Sequence, residues 1–204
     1  INTTNFTRIA GYVIGNLRMP VASGSPVTEF HLGNQNGYSP VTVHFSNVTT
    51  AGNMTVSLKT GAHPGMTYPE RALSRHWSFG KDQLAFTSYT PTLRYLAADF
   101  HDSISEPIHE NTMVAGLNGT PRWSFPSITQ RTPGGANDGG SLALGGMTVC
   151  SDIVIATDTF AFHPNLPPVI TSAISDIVLN EDFGSHFVAD LNDVFNEPEG
   201  APMT

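Results

Sequence analysis

The chain has 204 residues, 39% of them hydrophobic and only 13% charged, with a formal net charge of -8 at pH 7. That length and apolar content suit one large β domain, or one domain with part of a second. An acidic balance without a basic cluster excludes an electrostatic binder of nucleic acid or anionic membrane, and no apolar run of about eighteen residues exists to insert a helix in a membrane.

Lys59 and Lys81 are the only lysines, whereas there are 19 glycines and 15 prolines, a composition of strands and turns. The single cysteine, Cys150, excludes an intramolecular disulfide and a Cys-based zinc site. Beside Val149 and near Ile153 it reads as a small core hydrophobe. The chain begins at Ile1 without a signal-peptide pattern, and reads as a piece of a longer polypeptide.

In chain order, "GYVIGNLRMPV" and "VTEFHLG" predict strands, and "GNQNGYSP" a turn. "PVTVHFSNV" sets Val41, Val43 and Phe45 against Thr42, His44 and Ser46. "NMTVSLKT" repeats the alternation with Met54, Val56 and Leu58. With "TTAG" between them, these two segments predict a β-hairpin. "RHWSF", "LAFTSYT" and "TLRYLAADF" are further strands. The acidic stretch "ADFHDSISEPIHEN" has room for a short helical turn, limited by Pro107. "TMVAGLNGTPRWSF" predicts strand, Asn-Gly turn and strand, "RTPGGANDGGS" a loop, and "SLALGGMTV" and "DIVIATD" two more strands. No segment holds a 3.6-residue period. The fold expected for residues 1–162 is all-β, an antiparallel β-sandwich of Ig-like or jelly-roll-like kind. Residues 163–168, with Pro164, Pro167 and Pro168, read as a stiff linker. Residues 169–204 hold more acid and no Lys or Arg. They read as the first strands of an incomplete second β domain, whose unpaired edges invite tail-mediated contacts.

The tail resembles the start of cadherin-like repeats of the dystroglycan type. "PPVI", "ISDIVLNEDF" and "ADLNDVFNEPEG" carry the likeness through Asn180, Glu181, Asp182, Asp190, Leu191, Phe195, Glu197, Pro198, Glu199 and Gly200. Members usually carry Asp where this chain has Glu197 and Glu199. Residues 1–160 resemble a β-rich module of large surface and secreted proteins of environmental bacteria. Its carriers are "EFHLGNQNGYSPVTVHFSNV", "LSRHWSF", "TLRYLAADF", "SISEPIHENTMVAGLNGTPRW" and "LALGGMTV". These resemblances imply an extracellular or cell-surface location and a modular architecture, but no reaction; the expectation is a non-enzymatic module with a structural or adhesive role, with calcium rigidifying the junction after Phe162. Its partners would be neighbouring domains of the same polypeptide, surface proteins or glycans.

The residues offer six candidate chemistries. Asp176, Glu181, Asp182, Asp190, Asp193, Glu197 and Glu199 form a candidate calcium (Ca2+) site, since a hard cation takes six to eight oxygens; the competing reading is a solvated acidic surface. Asp99, His101, Asp102, Glu106, His109 and Glu110 form a candidate transition-metal patch without HExxH spacing, set against a polar loop. Glu106 and Glu110 are the best carboxylate pair for glycoside hydrolysis. Ser, His and Asp occur without a GxSxG elbow. Trp77 and Trp123, with Tyr38, Tyr68, Tyr89 and Tyr95, would serve a carbohydrate-binding accessory module of a secreted polysaccharide-degrading enzyme if exposed, and are core aromatics otherwise. Asn2, Asn5, Asn47, Asn53 and Asn118 head Asn-x-Ser/Thr triplets, which matter only in a eukaryotic secretory pathway.

Overall fold

The computed structural model describes residues 8–100, 110–119, 123–134, 139–162, 169–179, 181–182 and 184–196. The chain divides into two compact units, Ile1–Phe162 and His163–Thr204.

In unit 1 the strands are β1 (Asn16–Val21), β2 (Val27–Phe30), β3 (Gly33–Asn34), β4 (Gly37–Tyr38), β5 (Val41–Phe45), β6 (Val48–Thr50) and β7 (Gly52–Thr60). They continue as β8 (Ala72–Asp82), β9 (Ala85–Phe86), β10 (Tyr89–Tyr95), β11 (Val114–Leu117), β12 (Ile128–Thr132), β13 (Gly140–Leu144) and β14 (Asp152–Ala156). One antiparallel sheet, sheet 1, has the order β1-β7-β8-β14-β11. Sheet 2, also antiparallel, has the order β12-β13-β10-β5-β2. The short pairs β3-β4 and β6-β9 sit outside them.

The two sheets form a sandwich because alternate residues of each give one apolar face. From sheet 2 come Val41, Val43, Phe45, Tyr89, Leu93 and Leu142. From sheet 1 come Met54, Val56, Leu58, Leu73, Trp77, Phe79, Ile153 and Ile155, all in the same buried cluster. A second, smaller cluster forms on the outer face of sheet 1. There Ala72, Val154 and Ala156 are covered by Ala161 and Phe162, with Met66, Val114 and Trp123 packed around them. Gly116 of β11 lies under the Phe162 ring, where a Cβ would collide with it.

The expected hairpin between the fifth and seventh strands does not form. β5 pairs with β2 and β10 in sheet 2, while β7 pairs with β1 and β8 in sheet 1. Each strand has one apolar face, and the two faces meet across the core instead of lying side by side. β6, paired with β9, carries the chain from one sheet to the other. Gly52 starts β7 against the backbone of Asp82–Leu84, where a Cβ would lie 2.5 Å from the Leu84 nitrogen. The "ITQRT" segment, whose Arg131 and Thr132 open the expected loop "RTPGGANDGGS", is instead the edge strand β12. Its residues are half-buried or exposed and its register slips between Ile128 and Gln130, so it has no apolar alternation to show. Among the described residues, the expected Asn-Gly hairpin shows one bridge, with Leu117 and Ser124 exchanging N–H···O bonds of 2.7 and 3.0 Å. The acidic stretch opens on a single 3-10 turn, Ala97–Asp99; residues 101–109 lie outside those described.

In unit 2, β15 (Val169–Ile170) pairs antiparallel with β16 (Phe195–Asn196), just after a helical turn at Leu191–Val194. The Val194 carbonyl accepts the Thr171 N–H at 2.9 Å and its hydroxyl at 3.2 Å. Val194 is buried, but Val178 is 95% and Phe187 78% exposed. Among the described residues of unit 2, Val194 is the one buried apolar side chain.

Leu93→Ala, at a position with no exposure, should cost about 2–5 kcal/mol in urea unfolding. Val178→Ser should stay within about 0.5 kcal/mol.

Candidate functional site

Among the described residues, a connected polar cluster lies on the outer face of sheet 1. Strand alternation sends Trp77 inward, so His76 and Ser78 point outward. Ser78 pairs with Asp152 across the strands, and His76 with Val154. The connection between β7 and β8 folds over this face. A turn closes at His63–Met66, the Met66 N–H donating to the His63 carbonyl at 3.0 Å, with Pro64 at its second position.

His63 is buried and bridges the turn to β14. The Gly65 N–H donates to His63 Nδ1 at 3.0 Å. Nδ1 is therefore unprotonated, and the proton sits on Nε2, which donates to Asp152 Oδ2 at 3.1 Å. His76 takes the opposite tautomer: its Nδ1–H donates to the Gly61 carbonyl at 3.0 Å. The two imidazoles meet edge to face, centroids 5.0 Å apart, and Trp123 packs edge to face on His63 at 5.2 Å. The Trp123 Nε1–H donates to the Gly65 carbonyl at 3.3 Å, and its ring lies 4.9 Å from that of Phe162.

Burial alone would raise the Asp152 carboxyl. Hydrogen bonds from Ser78 and His63, with the charge of Lys59, outweigh it and hold the carboxyl below its ordinary value. Burial pushes the His76 imidazole below its ordinary value, against the pull of its bond to Gly61.

The wiring decides what the cluster can do. Nucleophilic catalysis needs an imidazole between hydroxyl and carboxylate. Here Asp152 stands in the middle, with Ser78 on one side and His63 on the other. The second nitrogen of His63 is taken by a backbone amide. Nor do three His, Cys, Asp or Glu side chains converge as a metal-binding group anywhere among the described residues.

The residues singled out from the sequence have other places. Trp77 has no exposure and belongs to the core, so it cannot stack on a sugar; its apolar inward position on β8 explains the burial. Trp123 is half-buried in the cluster above. Tyr89 and Tyr95 are core residues, Tyr68 is half-buried, and Tyr38 is half-buried with its hydroxyl 3.2 Å from Glu29 Oε1. Asp99 is fully buried against Arg75, 2.6 Å from Nε, so its carboxylate is committed to an ion pair. Glu110 accepts the Tyr95 hydroxyl at 2.7 Å. His101, Asp102, Glu106 and His109 lie outside the described residues. Asp176, Glu181, Asp182, Asp190 and Asp193 are exposed; Glu197 and Glu199 lie outside the described residues. Cys150 is half-buried on the core, where burial raises its thiol.

Sequence reasoning passed over His63, Asp152 and Arg75. The one local signal was "GAHPG", an imidazole inside a Pro-Gly turn. No known protein family, curated protein or solved structure matches the chain.

His76 gives the cluster a pH signature. Its folded value lies below the ordinary imidazole value of about 6.5. Below that pH the unfolded chain binds a proton that the folded chain refuses, so stability falls as pH drops through this window and is unaffected above it. The slope due to His76 should not exceed about 1.4 kcal/mol per pH unit, the limit for one proton. Urea unfolding at pH 7.5, 6.5 and 5.5 should show that slope reduced in His76→Gln.

Proposed function

We propose that unit 1 is a non-enzymatic extracellular module of a large modular surface protein, with a structural and adhesive role. One observation carries the reading. β1 and β14 lie in sheet 1 with β7 and β8 between them, every pairing antiparallel. The start of β1 and the end of β14 therefore point to the same end of the sheet. The adhesive contacts are assigned to the opposite end of the sheet, with residues 22–26, the β6–β7 turn and the β8–β9 turn. Support for a non-enzymatic role comes from the polar side chains, which are tied to one another: Asp99 to Arg75, His63 to Asp152, Glu110 to Tyr95.

Calcium at the junction after Phe162 stays a separate expectation: among the described residues no three His, Cys, Asp or Glu side chains form a metal-binding group, and Glu197 and Glu199 lie outside those residues. Carbohydrate binding is the second reading. It rests on Trp123, which reaches the surface, and on Phe125, 39% exposed, both packed against Phe162.

Beads coated with the chain should be retained under flow on cell layers or polysaccharide films above beads coated with heat-denatured chain. Retention equal to the control on every surface, or turnover of ester, phosphate or glycoside substrates, would contradict the proposal. Retention lost in Trp123→Ala and competed by free sugars would transfer the reading to a carbohydrate module.

A further inference from the structure

The turn that holds His63 also holds the end of unit 1. The N–H groups of Thr67 and Tyr68 both donate to the Ala161 carbonyl at 3.2 Å, and the Thr157 N–H donates to the Arg71 carbonyl at 2.9 Å. Gly65 is the hub of this arrangement. Its N–H is received by His63 and its carbonyl receives Trp123, whose ring covers Phe162. The fit is close: a Cβ on Gly65 would stand 3.1 Å from His63 Nδ1 and 3.6 Å from the Trp123 ring. One imidazole nitrogen, in one protonation state, thus receives the amide that positions the whole clasp.

We propose that His63 is a proton-operated latch on the exit of unit 1: neutral, it receives the Gly65 amide and closes the clasp; protonated, it releases Gly65 and opens it. A proton added at Nδ1 sets one N–H against another at 3.0 Å, and a bond becomes a repulsion. The ring itself stays on β14, because the new charge strengthens its contact with Asp152 Oδ2. The part that moves is therefore the turn, and with it the acceptor for Trp123. Around His63 stand Asp152 on β14, 3.1 Å from Nε2, and His76 on β8, with ring centroids 5.0 Å apart; Lys59 on β7 is the cross-strand neighbour of His76. His76 does not compete for the proton, since burial holds it below the ordinary imidazole range. The inference does not depend on what unit 1 binds.

The test is NMR of the whole chain between pH 7.5 and about 5, a range that spans ordinary imidazole titration. The Gly65 amide and the Trp123 indole N–H should shift on one curve with the His63 ring nitrogens. Protection of the Gly65 amide from exchange, corrected for intrinsic rate, should fall about tenfold, the weight of one hydrogen bond. In His63→Gln, which gains no proton, both signals should stay flat, and in His76→Gln the wild-type transition should persist. The proposal is overturned if His63 titrates while Gly65 and Trp123 do not respond, or if His63→Gln responds like the wild type. Should His63→Gln fail to fold, the wild-type curves and His76→Gln decide alone: loss of the transition in His76→Gln assigns it to His76 and sinks the latch.

Discussion

Arg75 and Asp99 meet inside the sandwich, Nε to Oδ2 at 2.6 Å, with no exposure on either side chain. Taking two ions out of water costs several kcal/mol each, and their attraction offsets this only when further polar partners are present. Asp99 has them: the Leu96 N–H at 2.6 Å and the Asn36 side-chain amide at 3.3 Å. Arg75 donates through Nη1 to the Ser39 hydroxyl and, at 3.2 Å, to the Arg94 carbonyl. Burial pulls the guanidinium below its ordinary value, Asp99 pulls it back, and it remains charged. The pair joins β8 of sheet 1 to the turn after β10 of sheet 2 and to the segment between β3 and β5. It is a tie between the two layers at a depth where a misplaced charge cannot be tolerated.

That tie also fixes which way β8 faces. A slip of one residue would send Arg75 to the outer face and His76 into the core. With Arg75 held inward, His76 and Ser78 must point outward, and their cross-strand partners place Asp152 beside them. The outer cluster, the turn that covers it and the anchorage of Phe162 follow from one inward-facing charge. Surface pairs such as Arg18 with Asp82 are more than half exposed and contribute far less.

Much of the sandwich was legible where a strand has one dry face. Val41, Val43 and Phe45, or Met54, Val56 and Leu58, alternate because a neighbouring sheet covers only one side. The same alternation does not say which strand lies beside which, and the hairpin expectation failed there: both segments needed a core, and the core lay between them. β12 was invisible because an edge strand with half-wet residues has no period to detect. In "LSRHWSF" the inward residue is an arginine, and an alternation test takes an arginine for a solvent residue unless its acid is known. That acid, Asp99, is 24 positions away in a stretch read as a metal patch or loop. Trp77 was legible as core from its neighbours. The role of His63 was not, because it depends on a backbone amide two residues on and a carboxylate on a distant strand.

The tie between the layers is tested most directly by a double-mutant cycle with Arg75→Met and Asp99→Asn, read by urea unfolding. Each single change leaves one buried ion without its counter-ion and should cost about 3–5 kcal/mol. The double variant leaves neither charge behind, and should be more stable than the sum of the single effects implies by about 2–3 kcal/mol. Additive losses, or single variants close to wild type in stability, would contradict the assignment of this pair as the interaction that holds β8 in register.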